Sequence, residues 1–455
     1  MKNAYYPNLF TKGKIGNLEI KNRIIRNSMG TYLAHNNCAV SDRSVKAAIE
    51  AAKGGVGLVF LDNCVVKDMY HMGLSAQDDT YIPGLNLLAE AIKDNGALAG
   101  MQLAHPGRDA GIVGGSDVPG ASPILPEIMY NIGAQIPYAM TIPQIKEIQE
   151  QYGQAALRVM RAGFDLVEIH AAAGCLPCNF LSPHDNTRTD MYGGSLFNRM
   201  RFLVETIRSI KKYCGPNYPI SVKLSMDDLE PDGIRIEETI EVCKALEREG
   251  VSLLNLVDGT HVASMATGFF PVNVSAARAK MVKEQVHIPV MVTGNIQSPE
   301  NAEEILVSGA ADFVGTARQS LADPAWPKKA KAGKAEDITP CIRCMVGCAD
   351  HGLAANCPLH CAVNPTLFRF YETPYPKTEE PKNVAVIGAG PAGCQAAITL
   401  ARCGHKATVY EKNEIGGALI QASVPNYKSD IRRLIAYYKT QLDKLGVEVI
   451  KAEAD

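Results

Sequence analysis

Four cysteines, Cys341, Cys344, Cys348 and Cys361, lie in the run CIRCMVGCADHGLAANCPLHCAVNP. Three thiols fall within one short stretch and a fourth follows after a loop. One compact turn can then offer three thiolates, and a returning segment the last, to a 4Fe–4S cluster. Disulfides are a poor reading, because cysteines so closely spaced cannot all reach separate partners with good geometry. Zinc is the rival, since C-x2-C also opens many zinc sites. Position favours iron–sulfur over zinc. The run stands between a long α/β-patterned region and a dinucleotide fingerprint, where an electron carrier has a task and a structural zinc has none.

That fingerprint is GAGPAG, with Gly388, Gly390 and Gly393, directly after the apolar segment NVAVIG and directly before the helical pattern CQAAITLARCG. A lone GxGxxG is weak. Flanked by a strand and a helix, its glycines allow the chain to approach a pyrophosphate at a helix N-terminus. Glu411 closes the next strand pattern, ATVYE, where a carboxylate holds an adenosine ribose hydroxyl.

A third group is dispersed. Gln102, His105 and Arg108 in QLAHPGR, with His170, Lys223 and His261, are polar at the ends of apolar segments. A single histidine is more often a satisfied structural residue than a catalyst, but several such groups at one end of a set of strands mark a site. Thr293, Gly294 and Asn295, and then Thr316, Ala317 and Arg318, offer backbone amides and a guanidinium suited to a phosphate dianion.

Eight short apolar segments carry these residues: 23–29, 57–62, 98–105, 165–171, 219–225, 252–257, 288–294 and 312–317. Amphipathic stretches follow them, such as 143–163 and 298–309, the latter opening with Ser298 as N-cap and Pro299 at the first helical position. Eight β/α repeats predict a closed (β/α)8 TIM barrel rather than a doubly wound open sheet. Near-continuous apolar runs fit strands buried on both faces. The Gly- and Pro-rich insertion 107–140, at the C-terminal end of the third strand, reads as a substrate lid. The expected α/β organisation is a barrel over 1–335, a cluster segment over 336–370, a Pro- and charge-rich linker over 371–382 and a partial Rossmann-like domain over 383–455.

Gross properties fit. At 455 residues the chain is long enough for about three domains, and 46% hydrophobic with 21% charged residues is ordinary for a globular protein. A net charge of −2 invites neither nucleic acid nor an anionic membrane. The N-terminal residues lack a secretory signal pattern, and no apolar run reaches the ~18 residues of a membrane span. Thirteen cysteines without such a signal predict a reducing, cytoplasmic setting.

Together KNRIIRNSM, GMQLAHPGR, SPHDNTRTDMYGGSLFNRMRF, VKLSMDD and TGNIQSPENAEEILVSGAADFVGTARQSLADP resemble the old yellow enzyme superfamily over essentially the whole chain. The cysteine run and GAGPAG narrow the resemblance to the branch of 2,4-dienoyl-CoA reductase, trimethylamine dehydrogenase, clostridial enoate reductases and bile-acid-type enone reductases. It implies FMN in the barrel, a 4Fe–4S cluster, FAD and NAD(P)H, with electrons passing from NAD(P)H through FAD and the cluster to FMN and substrate. The segment EIGGAL, with Gly416 and Gly417, is similar to two-dinucleotide flavoproteins and implies FAD at the fingerprint. Family spacing assigns the fourth cluster ligand to Cys361 rather than Cys357. Carried over by position, Gln102 would hydrogen-bond the flavin ring and Lys223 would sit at its N1–C2=O edge. Ser28, Met29 and Gly30 would pass beneath it, and Arg318 with the backbone at Gly294, Asn295, Thr316 and Ala317 would take the phosphate. Most relatives have arginine in place of Lys223; lysine keeps the charge that stabilises reduced flavin but loses the fork. The resemblance also implies a fuller FAD domain than the single βαβ start before Asp455, so a longer native protein is expected.

Departures from the family fall on the fourth strand. The expected H-x-x-H/N-G-Y reads HAAAGCLPC here: His170 is kept, Ala173 replaces the second polar residue, and Cys175 stands where a tyrosine proton donor is expected. Gly30 lies where threonine or cysteine often touches the flavin. His261, in VDGTH, matches a histidine that assists protonation in the dienoyl-CoA reductase branch. The leading expectation is NAD(P)H-dependent reduction of the C=C bond of an α,β-unsaturated carbonyl compound, with His170 and His261 polarising the carbonyl or supplying a proton. Cys175 is either a further donor, as a thiol of pKa ~8.5 can be at neutral pH, or a small wall residue like Cys178. Two other readings stand. An amine dehydrogenase of the trimethylamine dehydrogenase type wants an aromatic cage, for which Tyr130 and Tyr138 are the candidates while Trp326 lies after the eighth strand. A non-catalytic electron-transfer flavoprotein would explain a disabled pocket. Relatives often assemble, so a homo-oligomer is compatible with the family. Replacing Cys361 by serine should abolish iron binding in anaerobically purified protein, whereas Cys357→Ser should leave the iron content intact; the reverse result overturns the ligand assignment.

Overall fold

All eight apolar segments form strands: β1 (Ile24–Arg26), β2 (Leu58–Val65), β3 (Leu98–Ala104), β4 (Leu166–Ala171), β5 (Ile220–Ser225), β6 (Leu253–Val257), β7 (Val290–Thr293) and β8 (Phe313–Thr316). The computed structural model describes residues 3–67, 73–113, 117–125, 131, 133–259, 268–350, 357–369 and 374–453. Neighbouring strands pair in parallel in chain order, and β8 returns to β1 with Gly315 opposite Ile25, which closes the barrel. Its N-terminal end is plugged by an antiparallel hairpin, Gly13–Ile15 with Leu18–Ile20. Ile15 and Ile20 there meet Ile25, Leu58, Phe60, Leu166, Leu253, Met291 and Phe313 in one buried apolar cluster. A Cβ at Gly13 would stand 2.4 Å from the Phe313 ring, so this seal needs glycine.

Helices α1 (Asp42–Lys53), α2 (Ile82–Asp94), α3 (Ile142–Arg161), α4 (Arg201–Cys214), α5 (Ile236–Arg248), α6 (Ala276–Lys283), α7 (Pro299–Val307) and α8 (Trp326–Lys331) surround the strands. Their apolar stripes, such as Ile145, Ile148, Tyr152, Ala156 and Val159 of α3, pack on the outward faces of the sheet. Helix α3 starts with a reciprocal capping box between Thr141 and Gln144, and α7 with the Ser298 cap and Pro299 expected from sequence. Within the insertion, residues 119–120 and 138–139 pair as short strands. The Arg188 guanidinium, from the segment after β4, donates to the carbonyls of Ala121 (3.0 Å) and Met140 (2.7 Å) and ties the insertion down.

A second parallel sheet follows, with β9 (Asn383–Ile387), β10 (Lys406–Tyr410) and β11 (Glu448–Ile450), and the helices α9 (Pro391–Cys403) and α10 (Ser429–Lys444). Helix α10 docks on the barrel side: Gln441 and Lys444 reach Asp337 at 2.9 and 2.8 Å, and Arg433 reaches the Gln297 carbonyl at 3.0 Å. No helix among the described residues is long and apolar enough to cross a membrane. Removing the α3 cap with Thr141→Ala should lower stability by about 1 kcal/mol, read as a reduced denaturation midpoint at unchanged m-value.

Candidate active site and cofactor cradles

Side chains two apart on a strand share a face, so Glu168 and His170 on β4 point inward together with Ser221 and Lys223 on β5. Lys223 is paired in register with His170 on one side and Asn255 of β6 on the other. Glu168 is fully buried. Its carboxylate accepts from Gln102 Nε2 at 2.7 Å, Ser221 Oγ at 2.8 Å and Asn255 Nδ2 at 3.0 Å. The network runs on across the barrel: Asn255 Nδ2 also donates to Asn27 Oδ1 (3.0 Å), and Thr293 Oγ1 donates to Asn255 Oδ1 (2.9 Å). Burial pushes the Glu168 carboxyl up, while the charge of Lys223 and the three hydrogen bonds pull it back. Burial likewise lowers Lys223, and Glu168 opposes that shift. The amide of Gln102 is thereby oriented by its bond to Glu168, and the Glu168 charge favours the protonated form of Lys223 against the cost of burial. Ser28, in the loop after β1, is buried with its Oγ unpartnered, a group open to a ligand at that place. Met29 and Gly30 continue the same loop, half-buried.

The loops after β7 and β8 enclose a cavity of about 60 Å³ lined by Gly294, Asn295, Thr316, Ala317 and Arg318 among others. Gly294 has φ +139°, and a Cβ there would come within 2.9 Å of Ser275 Oγ, so glycine keeps the backbone open to a ligand. Arg318 Nη2 donates to Asn295 Oδ1 at 2.8 Å, which aims the guanidinium along the cradle. Amides from two loops with one guanidinium are the donor set a phosphate dianion needs.

Arg318 and Cys341 also line the neighbouring cavity, together with Cys344, Cys348 and Cys361; Cys357 is not on its wall. Cys348 belongs to the π-helical turn Val346–Asp350, and Arg343 and Met345 take left-handed backbone conformations (φ +54° and +63°) that fold the loop around the cavity. Burial pushes the Cys348 thiol up to about 12 and Cys361 to about 11, with the Arg318 charge opposing the shift at Cys348. Such thiols become thiolates only with strong cationic compensation, which iron or zinc supplies. Arg343 pins the loop from outside. Its Nε donates to Asp430 at 2.6 Å in an ion pair buried on both sides, and its Nη1 and Nη2 reach the carbonyls of Phe270 (2.5 Å) and Tyr427 (3.2 Å).

At the fingerprint, Gly390 caps α9 and Gly388 has φ +87°. A Cβ at Gly393 would lie 1.9 Å from the Gly388 carbonyl, and one at Gly417 would lie 3.0 Å from Gly390 Cα, so the turn closes only on glycine. Glu411 accepts from the backbone of Ala389 (2.7 Å) and Asn413 (2.8 Å), placing a carboxylate beside the glycine loop. The loop and helix N-terminus fit a dinucleotide pyrophosphate.

The residues grouped from sequence divide in the structure. Gln102, His170 and Lys223 share the inner face. Arg108 does not serve the pocket: it is buried in an ion pair with Asp185, its amide N–H bonds Asn179 Oδ1 at 3.1 Å, and Asn179 in turn donates to the Gly174 carbonyl at 2.8 Å. His105 is buried, with Nδ1 accepting from Gly107 N at 3.1 Å and Nε2 without a hydrogen-bond partner; it lines a cavity with Lys67, Asp117 and Tyr138, and burial lowers its pKa to about 3. Cys175 is buried at the start of the short helix Leu176–Leu181, after a turn with Ala173 and Gly174 at φ +56° and +85°. Burial raises its thiol well above the ordinary value, which weakens a donor role at neutral pH. His261 and Tyr130 lie outside the described residues. Trp326 is buried in α8, and Tyr138 is on the insertion. Glu168, Asn255, Arg343 and Asp430 were not singled out from sequence; charged or amide residues inside the apolar runs LVEIHA and SLLNLV were the available signal for the first two.

The fold and its cradles define a (β/α)8-barrel oxidoreductase joined to a dinucleotide-fold unit. Residues 8–337 match the NADH:flavin oxidoreductase / NADH oxidase family, and residues 382–454 match the pyridine nucleotide-disulphide oxidoreductase family. The chain is 40% identical over 460 residues to an NADH oxidase of Thermoanaerobacter brockii, covering 98% of this chain and 70% of that protein. It is 31% identical over 482 residues to a cinnamate reductase of Clostridium sporogenes, with 98% and 70% coverage. The solved 2-naphthoyl-CoA reductase in complex with 2-naphthoyl-CoA superposes with a TM-score of 0.92 at 31% identity, covering 99% of this chain and 71% of that one. The chain therefore belongs to the NADH:flavin oxidoreductase / NADH oxidase family, the old yellow enzyme lineage, and is an oxidoreductase acting with flavin and NAD(P)H.

Deleting the Glu168 carboxylate removes the acceptor of Gln102 Nε2 and Ser221 Oγ, leaves Asn255 Nδ2 only its bond to Asn27, and takes the opposite charge from Lys223. Glu168→Ala should cost about 3–5 kcal/mol in chemical denaturation, and Glu168→Gln, which keeps one acceptor oxygen, clearly less.

Proposed function

We propose that the protein reduces the C=C bond of an α,β-unsaturated carbonyl compound at the expense of NAD(P)H, with FMN in the barrel, FAD at the GAGPAG loop and a 4Fe–4S cluster in the four-cysteine cavity. The observation that carries this reading is the pair of adjoining cavities that share Arg318 and Cys341, one with a phosphate donor set and one walled by four thiols. Thiols spread around a common cavity suit a cubane better than zinc, whose ligands sit at only about 2.3 Å from the metal. Bound FMN would supply a hydride to the β-carbon of the substrate. The chain's residues do the rest: Arg318 and the β7 and β8 loops hold the phosphate, Gln102 offers a preset amide to the ring, and Lys223 stabilises negative charge at its pyrimidine edge. His170, in register with Lys223 on the neighbouring strand, would hold the substrate carbonyl oxygen. The names of the cinnamate and 2-naphthoyl-CoA reductases support an unsaturated acid or acyl thioester as the substrate class.

Anaerobic reduction of the bound flavin followed by addition of enones, enoates, unsaturated acyl-CoA esters and amines tests this. Reoxidation by an unsaturated carbonyl compound with saturation of its double bond is expected. Flavin reduction by an amine would establish the dehydrogenase reading instead, and inertness to every compound the electron-transfer one.

A further inference from the structure

Strand β2 is irregular in its middle. Phe60 pairs with Gly100 of β3 and Asn63 with Gln102, so β2 carries one residue more than its partner over this stretch. Such a β-bulge breaks the ladder locally and re-aims side chains. Leu61 and Asp62 make up the bulge, and Asp62 is buried at 1% exposure. The carbonyls of Phe60 and Leu61 are met by the buried Arg26 of β1, whose Nη1 donates to them at 2.9 and 2.7 Å. Burial disfavours the ionised Asp62 carboxyl, while bonds from Thr31 and Asn63 and the charge of Arg26 favour it.

The donors that Asp62 meets lie mostly in the loop after β1. Its Oδ2 accepts from Thr31 N at 3.2 Å and from Thr31 Oγ1, and its Oδ1 accepts from Asn63 N at 2.9 Å. Thr31 is fully buried and directly follows Ser28, Met29 and Gly30. Its neighbour Tyr32 has φ +56°, a left-handed conformation that a non-glycine residue keeps only where its surroundings over-determine it. On its other side the Thr31 carbonyl accepts from Leu359 N at 3.2 Å. Leu359 is buried two residues before Cys361, and His360 N donates to the Gly347 carbonyl, beside Cys348, at 3.2 Å. One threonine thus joins the β2 bulge to the segment that brings the fourth thiol.

We propose that Asp62 is a positioning residue, which through Thr31 braces the loop 28–31 against the cysteine segment and so fixes the floor of the flavin site relative to Cys361. The inference rests on the reading that FMN lies over Ser28, Met29 and Gly30. A carboxylate suits the task because both of its oxygens accept, and three donors converge on them. An amide in its place would turn an NH2 group towards either Thr31 or Asn63 N, donor against donor.

Thr31→Val removes the Oγ1 donor and keeps the side-chain shape, whereas Thr31→Ser keeps the donor. Hydrogen–deuterium exchange of the anaerobic holoenzyme reads the brace without turnover. In Thr31→Val the amide of Leu359, remote in sequence, is expected to exchange about tenfold faster, and Thr31→Ser to restore its protection. FMN rebinding to the deflavinated protein, followed by flavin fluorescence, is expected to weaken about tenfold in Thr31→Val and to recover in Thr31→Ser. Asp62→Asn should shift both readouts in the same direction as Thr31→Val. Faster exchange confined to the loop after β1, with Leu359 as protected as before, overturns the proposal. So does an FMN affinity that is unchanged in Thr31→Val, or equally weak in Thr31→Ser. A wild-type protein that takes up no FMN counts against the flavin reading, and the exchange at Leu359 still decides whether Asp62 and Thr31 brace the cysteine segment.

Discussion

A carboxylate buried in the middle of the barrel governs the arrangement of its interior. Taking Glu168 out of water costs several kcal/mol unless its oxygens are satisfied, and the barrel meets that demand with side chains from β3, β5 and β6 and the charge of Lys223. Those strands are then fixed relative to one another by polar geometry as well as by apolar packing. Asn255 passes the constraint to Asn27 after β1 and to Thr293 at the end of β7, beside the phosphate cradle. The apolar plug around Phe313 closes the opposite end, so the barrel grades from dry to polar along its axis. Reactive groups sit at the polar end because only there can charge be compensated.

The eight strands were legible because a strand covered on both faces leaves a continuous apolar run, and the observed ends depart from the sequence reading by only a few residues. The glycine fingerprint was legible for a different reason: Gly393 against the Gly388 carbonyl leaves no room for a side chain, and spacing alone records that. Glu168 was hidden because one carboxylate inside LVEIHA does not break the strand pattern. Arg108 looks like a pocket residue from its place after β3, yet the chain turns at Gly107 and carries it into an ion pair with Asp185. No local pattern could have joined Arg343 to Asp430, which lie far apart in sequence and meet only once the second sheet has docked.

That ion pair places the cysteine loop in a particular mechanical position. Two non-glycine residues in left-handed conformations, Arg343 and Met345, would be unfavourable in a free loop, and they persist because contacts on both sides over-determine them. The barrel contributes Phe270 and Gln319, the second unit contributes Asp430 and Tyr427. The loop thus has its shape imposed from two sides, and four thiols are brought to one cavity with only the short π-helical turn at Cys348 as a regular element.

Arg318 and Cys341 each belong to two cavities at once. An anion that draws the guanidinium toward the β7 and β8 loops changes the field at the thiols, and a charge placed among the thiols changes the pull left for the anion. Thermodynamic linkage makes that influence equal in both directions, so filling the two cavities is a coupled assembly problem in which the order of loading alters rates but not the final balance.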